Sequence, residues 1–268
     1  MLKRLSSIGM LLFVLLSCFV SKEGRSQVSN EQIISGVVIF HLVSSDKQDT
    51  SFLRLDYDYY NPEVEGFGTA NSAYKDSVNA LIYDDVFEIT AGWTAGERTK
   101  LTKEFFKARL DSFALLYEEY KDIDEYRVLF ELEGNYSIHE FSSYVEISIW
   151  GWSFSGGAHG NGYNVTTMIN KSDGRTLKLE DFVSDVDQLN VIAEPLFREM
   201  FDLRPEQSLS DYGFEFVDDQ FSINDNFTFS ENYVHFYYNT YEIAPYAGGP
   251  TELVIPIADI KHLIKLKK

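Results

Sequence analysis

YRVLFELEGNYSIHEFSSYVEISIWGW, residues 126–152, decides how this chain folds. Apolar and polar side chains alternate along it with the two-residue period of a β-strand rather than the 3.6-residue period of a helix. Val145, Ile147 and Ile149 fall on one face, and Tyr144, Glu146, Ser148, Trp150 and Trp152 fall on the other. The stretch therefore reads as two long strands meeting near Gly134 or His139, with one face turned to a core and the other carrying a row of tyrosine and tryptophan.

Upstream, IISGVVIFHLV (33–43) and FLRLDYDYY (52–60) read as an antiparallel strand pair that Asn61-Pro62 ends. Ala73, Val78, Leu81 and Ile82 then recur at helical spacing. Thr99 suits the N-cap of a second helix, with Leu101, Phe105, Ala108, Phe113, Leu116 and Tyr120 broadly on one face. Downstream come the glycine-rich WSFSGGAHGNG (152–162), a strand in YNVTTMIN, a turn at KSDG and a helix near 185–202 that Pro195 is expected to kink or divide. Short strands and a closing helix beginning near Pro256 complete the chain. The expected fold class is α+β: antiparallel sheets with helices packed on one face, in two subdomains, residues 28–125 and 126–268.

The first residues have the order of a signal peptide, with Lys3 and Arg4 ahead of the apolar run from Ile8 to Val20. That run is shorter than the ~20 residues that a spanning helix needs. The chain is therefore expected to be exported, with residues 1–27 as leader. Leu15-Leu16-Ser17-Cys18 resembles a lipobox, in which Cys18 would carry a lipid anchor. The alternative is cleavage further on, for example after Ser26, to release a secreted or periplasmic protein. Cys18 is the only cysteine, so disulfides, thiol nucleophiles and cysteine-ligated metal sites are not expected.

With 44% hydrophobic and 15% aromatic residues the chain can build a large core. Its net charge of −19 becomes −21 on loss of residues 1–17, which removes Lys3 and Arg4 but no acidic residue. Such a surface repels nucleic acid and anionic lipid and steers cationic partners inward. The acidic group Asp56, Asp58, Glu63, Glu65, Asp84 and Asp85 reads as a solvated face or as a docking patch.

His159, flanked by Gly157 and Gly160, is the obvious candidate base or metal ligand. Metal sites need three or four convergent ligands, and His139, His235 and His262 show no ligand spacing. His139-Glu140 is followed by Phe-Ser-Ser, so it fails the H-E-x-x-H pattern. Gly151-Trp152-Ser153-Phe154-Ser155 ends in serine where a nucleophile elbow needs glycine. No catalytic residue, metal or cofactor is therefore assigned. For the loop the competing reading is a bend between strands, with His159 bonded to backbone. Trp150 and Trp152 are either a second core layer or a stacking platform for a sugar or a protein partner.

Three separated motifs resemble the C-terminal extracytoplasmic domain of the RsiV and PdaC families. They are Gly156-Gly157-Ala158-His159; Leu177, Leu179, Asp181 and Phe182; and Tyr241, Pro245, Tyr246 and Gly249. The first half, with its Asn-Pro break and Ser77-Val78-Asn79, looks more loosely like the PdaC-type N-terminal domain of unknown function. The resemblance implies a cell-envelope module that in RsiV-like proteins receives lysozyme and in PdaC-like ones accompanies peptidoglycan chemistry. The expected function is non-enzymatic binding of a cationic, lysozyme-like protein or a peptidoglycan-derived glycan, with membrane contact only through a lipid anchor. The residues expected to line the site are His159, Gly157, Trp150, Trp152, Tyr241 and Tyr246. Two alternatives stand beside this: a cell-wall glycan hydrolase using His159, and a structural lipoprotein without a dedicated ligand.

Overall fold

A computed structural model of the chain describes residues 32–43, 50–64, 66–69, 72–91, 105, 131–154 and 157–265. The expected leader, with Cys18, lies outside them. So does the expected helix after Thr99, except for Phe105, which is helical, buried, and packed 4.8 Å from the Tyr83 ring.

Six strands form one sheet in chain order, namely β1 (Ile33–Val43), β2 (Thr50–Tyr60), β3 (Glu131–Glu140), β4 (Tyr144–Phe154), β5 (Asn161–Asn170) and β6 (Thr176–Leu177). Every ladder is antiparallel except β2 with β3, whose parallel pairing runs from Phe52↔Glu131 to Tyr57↔Tyr136. A parallel pair needs a long crossover, and here α1 (Ala73–Ala91) lies within it. The reversal between β3 and β4 falls at residues 141–143, while Gly134 sits mid-strand opposite Leu55 and Gly151.

Period-two alternation sorts the sheet into two faces. Leu53, Leu55, Tyr57 and Tyr59 of β2, Leu132 and Tyr136 of β3, and Val145, Ile147 and Ile149 of β4 share one face by register, and all are buried. α1 covers them with Val78, Ile82 and Val86, which are fully buried. Asn79 of that helix reaches back to the end of β2, accepting from the Tyr60 N–H at 2.8 Å and donating to its carbonyl at 2.7 Å.

A second layer builds its own core around Phe197, Phe236 and Ile255. It contains α2 (Leu179–Phe182), α3 (Val186–Met200), α4 (Ile257–Ile260) and an antiparallel sheet of β7 (Phe227–Phe229), β8 (Tyr233–Tyr238) and β9 (Thr251–Pro256). Asp185 caps α3, and Asp181 accepts from the Lys178 N–H to cap α2. Pro195 does not divide the helix: α3 runs on to Met200 with Pro195 inside it. Pro256 stands at the N-cap of α4 and closes β9.

This layer packs on the other face of the six-stranded sheet, over β4 to β6. Tyr144, Met168 and Leu177 belong to its core. The row of aromatic residues predicted on β4 is therefore split, with Tyr144 buried edge-on against Phe182 at 5.5 Å and Trp150 left 42% exposed. The molecule is α+β, with sheets that are antiparallel apart from the β2–β3 pair and four α-helices among the described residues.

Candidate functional site

Asparagine side chains pin the second layer at the corner where it meets the six-stranded sheet. Asn226 accepts from the Thr166 N–H at 2.8 Å and donates to the carbonyls of Asn164 and Tyr237. Asn239 accepts from the Asn164 N–H at 2.7 Å and donates back to its carbonyl. Thr228 donates to the buried Glu146 carboxylate at 2.7 Å. These bonds hold the segment carrying Tyr241 and Tyr246 close to the glycine loop.

Three of the residues singled out from sequence meet there. The His159 ring stacks on Tyr246 with centroids 3.6 Å apart and planes 16° apart. Its Nδ1 lies 3.1 Å from the Gly160 carbonyl oxygen, and its Nε2 lies 3.5 Å from the Tyr241 hydroxyl. Tyr246 donates its own hydroxyl to the same Gly160 carbonyl at 3.0 Å. Trp152 packs on Gly160 so closely that a Cβ there would strike its indole ring. Gly157 has φ +98 with open space around it, and Tyr241 has φ +71 and is 55% exposed. The partners of His159 are thus a backbone carbonyl, a phenol and a stacked ring.

Trp150 stands apart from that cluster, two residues along the same strand face from Trp152, and its register partners are Asn135 and Asn164. On this face the strands β1 to β3 carry a groove of about 400 Å³. Ser35, Asp56, Asp58, Asn135, Ser137 and His139 line it. Its cause is local. The β2–β3 pairing ends at Tyr57↔Tyr136, and beyond it the strands part, with the Asp58 carboxylate accepting from Ser35 at 2.6 Å and from the Ile138 N–H at 3.4 Å. Asp56 is bound at 2.8 Å by Arg54.

Of the described members of the acidic group noted in the sequence, Asp56 and Asp58 belong to this groove. Asp85 lies on the opposite side, accepting hydroxyls from Tyr136 and Tyr163, each at 2.8 Å. Burial, together with that carboxylate, pushes the Tyr136 phenol well above its ordinary value. Glu140 accepts from the Tyr60 hydroxyl at 2.7 Å and pairs with Lys171 at 3.0 Å. Burial alone would raise its carboxyl, but the Tyr60 hydroxyl and the charges of Lys171 and Lys75 outweigh this and hold it below the ordinary value. The groove itself escaped sequence reading because it arises where two strands part, and neither strand's own pattern records that.

Among the described residues no group of three or more His, Cys, Asp or Glu is placed to hold a metal ion. No helix among them is long and apolar enough to cross a membrane.

Residues 180–258 match the family described as Protein of unknown function (DUF3298). The chain carries a DUF3298 domain. That domain spans α2 to β9 and the beginning of α4, so it holds the second layer together with Tyr241 and Tyr246. The whole fold is similar to the crystal structure of a DUF3298 family member from Bacteroides fragilis. The TM-score is 0.59 at 19% identity, over 88% of this chain and 94% of that one. A DUF3298 family protein from Pseudomonas aeruginosa is similar with a TM-score of 0.55 at 15% identity, over 87% and 94% of the two chains. At these identities the likeness is one of fold, and it extends beyond the DUF3298 domain to the strands before it. Among curated proteins none matches the chain significantly.

Proposed function

We propose that this chain is an exported, RsiV/PdaC-like envelope module that binds a peptidoglycan-derived glycan without chemically altering it, across the open sheet face around Trp150. The exposed Trp150 indole, on the same face as a groove of about 400 Å³ lined by carboxylates, amides and hydroxyls, carries this reading. A sugar ring offers an apolar face to an indole and a rim of hydroxyls to Asp58, Asn135 and Ser137, so stacking and hydrogen bonding act on one ligand together. His159 supports a binding surface better than a hydrolase, because its contacts anchor the ring to backbone and tyrosine instead of orienting it with a carboxylate.

A second reading, a cationic lysozyme-like protein as ligand, is favoured by the net charge of −19. Isothermal titration of the purified chain with soluble peptidoglycan fragments and with lysozyme, at low and high salt, separates the two. Glycan binding should be insensitive to salt and should fall at least 10-fold in Trp150→Ala. A lysozyme complex that salt weakens, since exposed charges are screened beyond ~8–10 Å, would transfer the assignment to the protein ligand. Absence of heat and of complex with both would refute the binding function. Mass spectrometry of the membrane fraction tests whether Cys18 carries a lipid.

A further inference from the structure

On the second sheet, away from the glycine loop and within residues 180–258 that match DUF3298, a serine, a histidine and a glutamate stand in a relay that the binding site does not use. His235 of β8 places Nδ1 2.8 Å from Glu252 Oε1 and Nε2 3.1 Å from Ser230 Oγ. With the proton on Nδ1 the ring donates to Glu252 and accepts from the Ser230 hydroxyl, the connectivity by which a carboxylate orients a base and the base activates a nucleophile. Ser230 Oγ also lies 3.2 Å from the Tyr233 carbonyl oxygen, so the Tyr233 carbonyl and His235 Nε2 both stand within reach of its one proton.

The fold sets this geometry. β8 lies between β7 and β9, and the register Thr228↔His235↔Val254 turns Ser230, His235 and Glu252 to the sheet face opposite Phe236 and Leu253. Ser230 opens the β7–β8 reversal, and its own N–H is held by the Tyr233 carbonyl at 2.9 Å. The next N–H, that of Glu231, has no intramolecular acceptor among the described residues. The side chains of His235 and Glu252 are 26% and 54% exposed, so the relay is open to a substrate on a larger molecule.

We propose that Ser230, His235 and Glu252 form an acyl-transfer site that cleaves O-acyl esters. Ser230 Oγ bonds to the acyl carbon, its proton passes to His235 Nε2, and the ester C–O bond breaks as that proton moves to the leaving alkoxide. Water then attacks the acyl-serine, giving the free carboxylic acid and restoring Ser230.

Incubating the purified chain with a tagged fluorophosphonate, and mapping the adduct by mass spectrometry, tests this directly. One phosphonyl group should appear on the peptide containing Ser230. Hydrolysis of p-nitrophenyl acetate should exceed background, fall by about 100-fold or to background in Ser230→Ala and His235→Ala, and fall less in Glu252→Gln. Unlabelled Ser230 in the natural sequence, or an ester rate equal to that of Ser230→Ala, would overturn the assignment. The adduct map needs no variant to fold, and neither readout depends on glycan binding at Trp150.

Discussion

Gly160 shows how one residue without a side chain assembles the glycine loop. Its carbonyl receives Tyr246 and its Cα is covered by Trp152, while an added Cβ would also lie 2.9 Å from the Ser153 carbonyl oxygen. A backbone atom cannot swing away as a flexible side chain can. Gly160→Ala should therefore cost about 1–3 kcal/mol, the usual penalty of overpacking, read as a lower urea midpoint at unchanged slope. Gly157→Ala should also cost stability, through strain at φ +98 and without any clash. Asp85 is a second residue whose role is set by its contacts, because it serves the hydroxyls of Tyr136 and Tyr163 together. Asp85→Ala strands the buried Tyr136 hydroxyl and should cost about 1–3 kcal/mol, with Asp85→Asn recovering part of the loss. As a bend residue Gly160 is expected from the sequence to have a positive φ; its φ is not positive, and it is the close approach of Trp152 and Ser153 that requires glycine there. Asp85 was not separable from the other carboxylates around it, because a carboxylate's burial depends on what folds against it.

Between elements, Asn226 and Asn239 are the clips that join the two layers. Asn226 alone engages a backbone N–H and two carbonyls from β5 and β8. Asn226→Ala should cost about 1–3 kcal/mol and, in hydrogen exchange, should speed opening of residues 163–167 before that of β2 and α1. Uniform acceleration across both layers would contradict the clip. The strand pattern around Trp150 was readable because alternation is local. The parallel pairing of β2 with β3 was hidden, because a parallel neighbour is brought in by a crossover 70 residues long, from Asn61 to Phe130. That the helix continues past Pro195 was hidden for a related reason. Its missing N–H and its ring disfavour a helix interior, yet Leu189, Ala193 and Phe197 are buried along the same helix and hold it to the core. Packing of that stripe outweighs a local penalty of ~3 kcal/mol.

For the whole molecule, stability should be bounded at both ends of the pH scale by the groups that tie helix, sheet and second layer together. Glu140 has a folded-state carboxyl below its ordinary value, so its contribution is present above the unfolded value of about 4.3 and is lost as pH falls through the folded one. Burial has the opposite effect on phenols. Tyr60, Tyr136 and Tyr238 are pushed up, and Tyr144 reaches about 12, so their contribution holds below the unfolded value of about 10 and is lost as pH rises beyond it. Urea midpoints measured from pH 3 to 11 should form a plateau falling at both ends, and Glu140→Gln should flatten the acid limb. An acid limb unchanged in that variant would remove Glu140 from the account. What the sequence determined by itself was the alternation of strands, the breaks at Asn61-Pro62 and the glycine loop, and the α+β class, all carried by residues near one another in the chain. Tertiary structure alone decided which aromatic residues are buried and which remain open, the groove where β2 and β3 part, and the meeting of His235 with Ser230 and Glu252. Those outcomes depend on which surfaces come to exclude water from one another, and that is settled by register and layer packing between segments tens of residues apart.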